Sequence, residues 1–236
     1  MSSATATLPA TASPTYGKLL RLDEVLEAAC VHDDDMDRIL FLSTHQSCEI
    51  FFAVLLRHLE EVRAALDADD AAMAVRRAAP LPAIMSTLTK HFDGLATMAD
   101  DGFNAIREEV GEASGFQSVQ FREIEFLCGL RDTRYLTTPG FTERDRARLT
   151  KRLEERSVQD AYRGYVDRCA DREAGGRVRE ALLAFDEAVT VWRARHAVLA
   201  ERFIGNSAGT AGSAGAAYLW RAALRRVLPD VWKPLT

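Results

Sequence analysis

The sequence has almost no clean two-residue alternation of apolar and polar side chains, which argues against any sheet-based fold. It has four cysteines, Cys30, Cys48, Cys128 and Cys169, but no Cys-x-x-Cys pair, so the usual zinc and dithiol spacings are missing. Its five histidines form no His-x-x-x-His or His-Glu-x-x-His pair, which removes support for a zinc or non-haem iron site. There is no excess of positive charge: the formal net charge is -5, which argues against a nucleic-acid surface. The basic run Arg144 to Arg148 follows Glu143, is interleaved with Asp145, and reads as a solvated helix face. No uninterrupted apolar run approaches the ~20 residues that cross a bilayer, so no membrane partner is expected. The first residues, Met1 to Pro14, lack a basic start and an apolar stretch and are rich in Ala, Ser, Thr and Pro. They read as a disordered tail rather than a signal peptide. No internal repeat is present at solenoid spacing.

What is there is ordinary for a globular protein: 47% apolar and 28% charged residues in a chain of 236. That length suits one domain, here residues 15–236, with enough chain to bury a sizeable core. The cysteines sit in apolar, helix-like contexts and read as reduced thiols, which suits the cytoplasm. Helical periodicity dominates and predicts helices near 21–30, 36–67, 81–99, 101–110, 116–130, 142–155, 157–172, 176–204 and 214–227. Breaks are expected at Pro80 and Pro82, Gly111, the Thr137-Thr138-Pro139-Gly140 turn, Gly175-Gly176 and the Gly205–Gly215 stretch. The fold class is therefore all-α, a bundle of about nine helices.

Four segments could carry chemistry. Phe41, His45, Cys48 and Phe52 fall on one face of a long apolar helix. A histidine there is either a satisfied core residue or a polar group held beside a ligand. Phe103 and Arg107 share a face four residues apart, shortly before Ser114-Gly115-Phe116-Gln117-Ser118. An inward arginine must be paired, either by a protein acid or by a ligand carboxylate that matches its fork. Trp192-Arg-Ala-Arg-His196 places the one histidine of its helix where it could serve as an axial ligand or as nothing. Gly209-Thr210-Ala211-Gly212-Ser213-Ala214-Gly215 superficially looks like a phosphate loop. It follows a helix rather than a strand and lacks the Lys-Ser/Thr ending, so a nucleotide reading is poor. A close backbone approach and free N–H groups at the next helix start survive as its physical content.

In this order the segments resemble the tryptophan 2,3-dioxygenase family. The likeness includes Tyr16-Gly-Lys-Leu-Leu-Arg-Leu-Asp-Glu-Val-Leu26, the His45-Gln46 segment with Glu49, and Ser114-Gly-Phe-Gln-Ser-Val-Gln-Phe-Arg-Glu-Ile-Glu-Phe126. Trp192-Arg-x-Arg-His196, Ile204-Gly205, the Gly209–Gly215 loop and Tyr218-Leu219 complete it, over roughly 16–130 and 188–232.

The resemblance implies an oxygenase that uses haem b, an aromatic amino acid and O2. His196 would be the proximal iron ligand and His45 the distal histidine beside the indole nitrogen. Phe41 and Phe103 would line the indole pocket, Arg107 would clamp the carboxylate, Ser114 would be the pocket serine, and Thr210 would hold the amino-acid end. No Cys-x-x-Cys-His motif is present, so the haem would not be covalently attached. A homotetramer is implied as well. The sequence departs from the pattern in three places: a shortened stretch at 131–187, Leu19 where many relatives have a tyrosine directed to a neighbouring subunit, and Ala211 and Ala214 in the loop. These leave open a single-oxygen enzyme acting on a modified tryptophan or on tyrosine. A haem-binding protein without turnover is the third reading.

Overall fold

Two helices of more than thirty residues, α3 (Met36–Asp67) and α10 (Arg172–Ile204), organise the computed structural model. It describes residues 15–111, 113–205, 207 and 215–234. The expected tail, Met1–Pro14, and Thr210 lie outside the described residues. Among the described residues there is no strand, and the order runs α1 (Tyr16–Leu20), α2 (Leu22–Ala28), α3, α4 (Ala71–Ala78), α5 (Leu81–Leu95) and α6 (Asp100–Val110). It continues through a 3-10 turn at Gly115–Gln117, α7 (Val119–Cys128), a second turn at Thr133–Thr137, α8 (Glu143–Glu154), α9 (Val158–Arg168), α10, α11 (Ala216–Ala223) and a last turn at Pro229–Trp232.

The starts of the long helices follow from their caps. Asp35 accepts the Arg38 N–H at 3.0 Å, and Asp171 accepts those of Glu173 and Ala174. Buried residues then recur every three or four positions: Cys48, Phe52, Leu55, Leu59, Val62 and Leu66 on α3, and Val178, Leu182, Phe185, Val189 and Trp192 on α10. Helices α4 and α5 each pack against both long helices, while α7 and α9 pack on α3 and α11 on α10. The middle of the bundle is α7, whose residues 121–128 are all buried.

Several boundaries differ from the periodicity. Helix α4 was not expected; Asp70 caps it by accepting the Met73 N–H, and Asp69, at φ 57, turns the chain away from α3. Arg21, also left-handed at φ 53, separates α1 from α2. The segment predicted at 116–130 splits at Ser118, which caps α7 through the Phe121 N–H, and Gly129 at φ 132 ends that helix. Gly175-Gly176 does not break the chain. The Asp171 cap starts α10 four residues earlier than expected, and the helix runs through both glycines at a local cost of about 1 kcal/mol each.

By length and composition α3 is apolar enough to cross a membrane, a point missed when only uninterrupted apolar runs were counted. Nine of its residues, from Thr44 to Leu66, are buried against the rest of the bundle.

A fully buried carboxylate closes the C-terminal end. Asp186 Oδ1 accepts the N–H groups of Val227 and Leu228 at 2.7 and 2.9 Å, and Oδ2 accepts the Trp232 indole N–H at 2.7 Å. Arg226 lies over the Trp232 ring at 3.8 Å. Asp186→Ala strands three buried donors and is expected to cost about 3 kcal/mol or more, lowering Tm by roughly 6–12 °C in a thermal melt. A melting temperature unchanged by this substitution would contradict the assigned strap.

Candidate active site

Helices α3, α6, α7, α10 and α11, together with the 113–118 segment, enclose a cavity of about 820 Å3. That lies in the upper part of the range for ligand sites. Phe41, His45, Phe103, Arg107, Ser114 and His196 all line it, so the structure brings together every sequence-derived site residue that it describes.

Helix α3 contributes Phe41 and His45, one turn apart and with ring centroids 4.1 Å apart. The Phe41 carbonyl can only accept, so the 2.7 Å contact with His45 Nδ1 makes that nitrogen the protonated one. Nε2 is then left as an acceptor. Burial holds the His45 pKa below the usual value, opposed by the Phe41 carbonyl and by Glu49 one turn on. Glu49 is itself pinned: the Gln120 side chain donates to its backbone carbonyl and its carboxylate, both at 2.8 Å, tying α3 to α7. The Cys48 thiol on the same wall is pushed up to about 12 by burial and stays neutral.

His196 stacks on Phe92 at 5.2 Å with planes 13° apart and has the Trp192 ring 5.9 Å away. Burial, with a smaller contribution from His45, pushes its pKa down to about 4, so at neutral pH it is a neutral imidazole with a free lone pair. Trp192 is enclosed by Phe52, Phe92 and Phe121, and its indole N–H is buried without a hydrogen-bond partner. On α6, the Phe103 ring stacks on Phe203 of α10 at 4.3 Å, and Arg107 follows one turn later. Ser114 starts the 3-10 turn, its hydroxyl accepting the Phe116 N–H at 3.4 Å.

The sequence reading missed a buried ionic cluster in the same wall. Arg122 Nη1 lies 2.6 Å from Glu125 Oε2, and Arg193 donates to Glu125 Oε1. Arg193 also donates to the carbonyls of Ala222 and Arg225 at 3.3 and 2.7 Å, holding the end of α11. The Arg122 Nε has no hydrogen-bond partner, and its guanidinium covers the Tyr135 ring at 4.2 Å. The available signal was weak: an Arg and a Glu three residues apart in a helix that also carries Gln120 and Glu123, a pattern that reads as solvent-facing.

Comparison with known proteins agrees with this arrangement. The family model for tryptophan 2,3-dioxygenase matches residues 1–169 and 141–236, which between them cover the stretch at 131–187 that the motifs left out. The chain belongs to the tryptophan 2,3-dioxygenase family. It is 36% identical to the tryptophan 2,3-dioxygenase of Nocardioides sp. over 249 residues, covering 94% of this chain and 91% of that protein. Against the Anaeromyxobacter sp. enzyme of the same name it is 32% identical, covering 94% and 95%. For the Herpetosiphon aurantiacus tryptophan 2,3-dioxygenase the identity is 31%, with 92% and 96% covered.

Within this family member the Glu125 carboxylate compensates two buried cations. Glu125→Leu leaves both without it and is expected to cost about 3–5 kcal/mol. Differential scanning calorimetry checks this: a Tm fall on the order of 10 °C is expected, and a fall within error of zero would refute the shared-carboxylate role.

Proposed function

We propose that the chain is a haem-dependent oxygenase that inserts both atoms of O2 into the indole ring of L-tryptophan, opening the C2–C3 bond to give N-formylkynurenine. The observation that carries this is the position of His196 and Arg107 on the walls of one cavity, with His45 lining it as well.

The residues present suit a haem. The cavity is larger than an amino acid alone requires, and His196 offers a neutral imidazole to an iron. Two buried donors in the wall, Trp192 Nε1 and Arg122 Nε, lack partners and match the carboxylate side chains of haem b. When bound, ferrous haem supplies the activation of O2.

This chain's own groups orient the substrate. Arg107, a planar fork, takes the carboxylate, and Thr210 on the glycine loop would help to hold the amino-acid end. Phe41 and Phe103 offer ring faces to the indole. His45 Nε2, left as an acceptor by the Nδ1–H bond to Phe41, receives the indole N–H. Its role is to fix the ring by accepting that bond, with the imidazole itself held in place by the Phe41 carbonyl. Ser114 borders the same end.

The reading extends to assembly and location. Helices α1 and α2 bury no residue, and Tyr16, Leu19, Leu20, Val25 and Leu26 are exposed on them, which supports a homo-oligomer, by family a tetramer. Four free cysteines support a reducing, cytoplasmic setting.

Ferrous protein with O2 and tryptophan should give a product heavier by two oxygen atoms. One added oxygen would mean a monooxygenase instead, and no product with any aromatic amino acid would leave a haem-binding protein. His196→Ala is expected to lose stoichiometric haem and the Soret band; full retention would remove it as the ligand. Arg107→Lys should raise KM for tryptophan by roughly 10- to 100-fold, because an ammonium cannot form the bidentate pair. An unaltered KM would take Arg107 out of the substrate site.

A further inference from the structure

Gln117 belongs to the Gly-Phe-Gln-Ser motif, yet nothing in the proposed chemistry uses it. Its side chain makes two bonds in opposite directions. Oε1 accepts the Ser114 N–H at 3.2 Å, and Nε2 donates to the Pro139 carbonyl at 3.0 Å, twenty-two residues away. The next residue, Gly140, sits at φ +86, and a side-chain carbon there would collide with Gln117 Nε2. The backbone angle favours glycine there, and any side chain would push the glutamine amide aside.

Between these bonds lies a part of the cavity wall, Ser114 to Phe116. Among the described residues that segment makes two backbone bonds, Gln117 N–H to Ser114 and Ser118 N–H to Gly115, at 2.8 and 3.2 Å. A three-residue turn so lightly tied takes its position from side-chain braces. The same stretch supplies a second brace. Phe116 packs on the Tyr218 ring at 4.4 Å, and the Tyr218 and Tyr135 hydroxyls are 2.5 Å apart. Residues 135 to 140 thus support the pocket segment from two points.

We propose that Gln117 is a positioning residue that sets the substrate end of the cavity by bracing Ser114–Phe116 against the Pro139–Gly140 turn. This rests on the functional reading above. A purely local cap would need only Oε1; the bond to Pro139 is what fixes the segment in space.

Two variants of the holoenzyme separate cap from brace. Gln117→Glu keeps an acceptor for the Ser114 N–H but sets a carboxylate against the Pro139 carbonyl. Gly140→Ala leaves Gln117 intact and displaces its amide from the other side. Both are expected to raise KM for tryptophan on the order of tenfold with kcat within about twofold, because binding is loosened and the oxygen chemistry is not touched. Hydrogen exchange should quicken at residues 113–118 in both, with protection of α7 unchanged. A KM within about twofold of wild type in either folded variant, including one whose Tm has dropped, overturns the proposal. So does a fall in kcat at constant KM. Wild-type protein that turns over no aromatic amino acid sinks the functional reading and this proposal with it; turnover by wild type with unmoved KM in the variants sinks this proposal alone.

Discussion

The charge cluster Arg122–Glu125–Arg193 is the constraint on which the rest of the structure depends. Burying ions is costly unless each is compensated and hydrogen-bonded, so three charges in one wall fix the elements that carry them. Arg122 and Glu125 come from α7, Arg193 from α10, and the carbonyls that Arg193 satisfies end α11. The register of three helices around the cavity is thereby set by one carboxylate. Aromatic packing alone would tolerate sliding; a guanidinium fork does not.

That fixed register explains how residues far apart in sequence come to face one space. His45 lies in the third turn of α3, Arg107 near the end of α6, and His196 in the last third of α10. Each is unremarkable on its own helix. Helix α5 packs against both long helices, and its Phe92 ring meets the Trp192 and His196 rings of α10. Three polar groups of the wall are oriented by backbone or carboxylate partners: His45 by Phe41, Gln120 by Glu49, Arg193 by Ala222 and Arg225. Such pre-orientation is what a binding site requires of its polar minority.

The helical class and the long elements were legible because apolar residues recur every three or four positions for nine turns in α3 and α10. Short elements were not. Helix α4 is a single capped stretch set off by Asp69 in a left-handed conformation, and no periodicity over eight residues distinguishes it from a loop. Gly175-Gly176 misled the reading in the other direction, since a strong cap upstream outweighed two poor helix formers. Of the site, the family motifs carried His45, Arg107, Ser114 and His196 into one cavity. They did not reveal that Arg122 and Glu125 would be buried, because a charged pair at that spacing reads as solvent-facing until the helix is found to be covered on all sides.

The Asp186 strap bears on how the chain matures. Its partners, Val227, Leu228 and Trp232, stand forty-one to forty-six positions downstream. During folding, α10 therefore carries a carboxylate without these donors until residues 227–232 fold back onto it. Local helix formation is rapid, whereas this closure is a non-local contact and forms more slowly. The α11 side of the pocket leads into that same stretch, so its placement is tied to the slower, non-local closure.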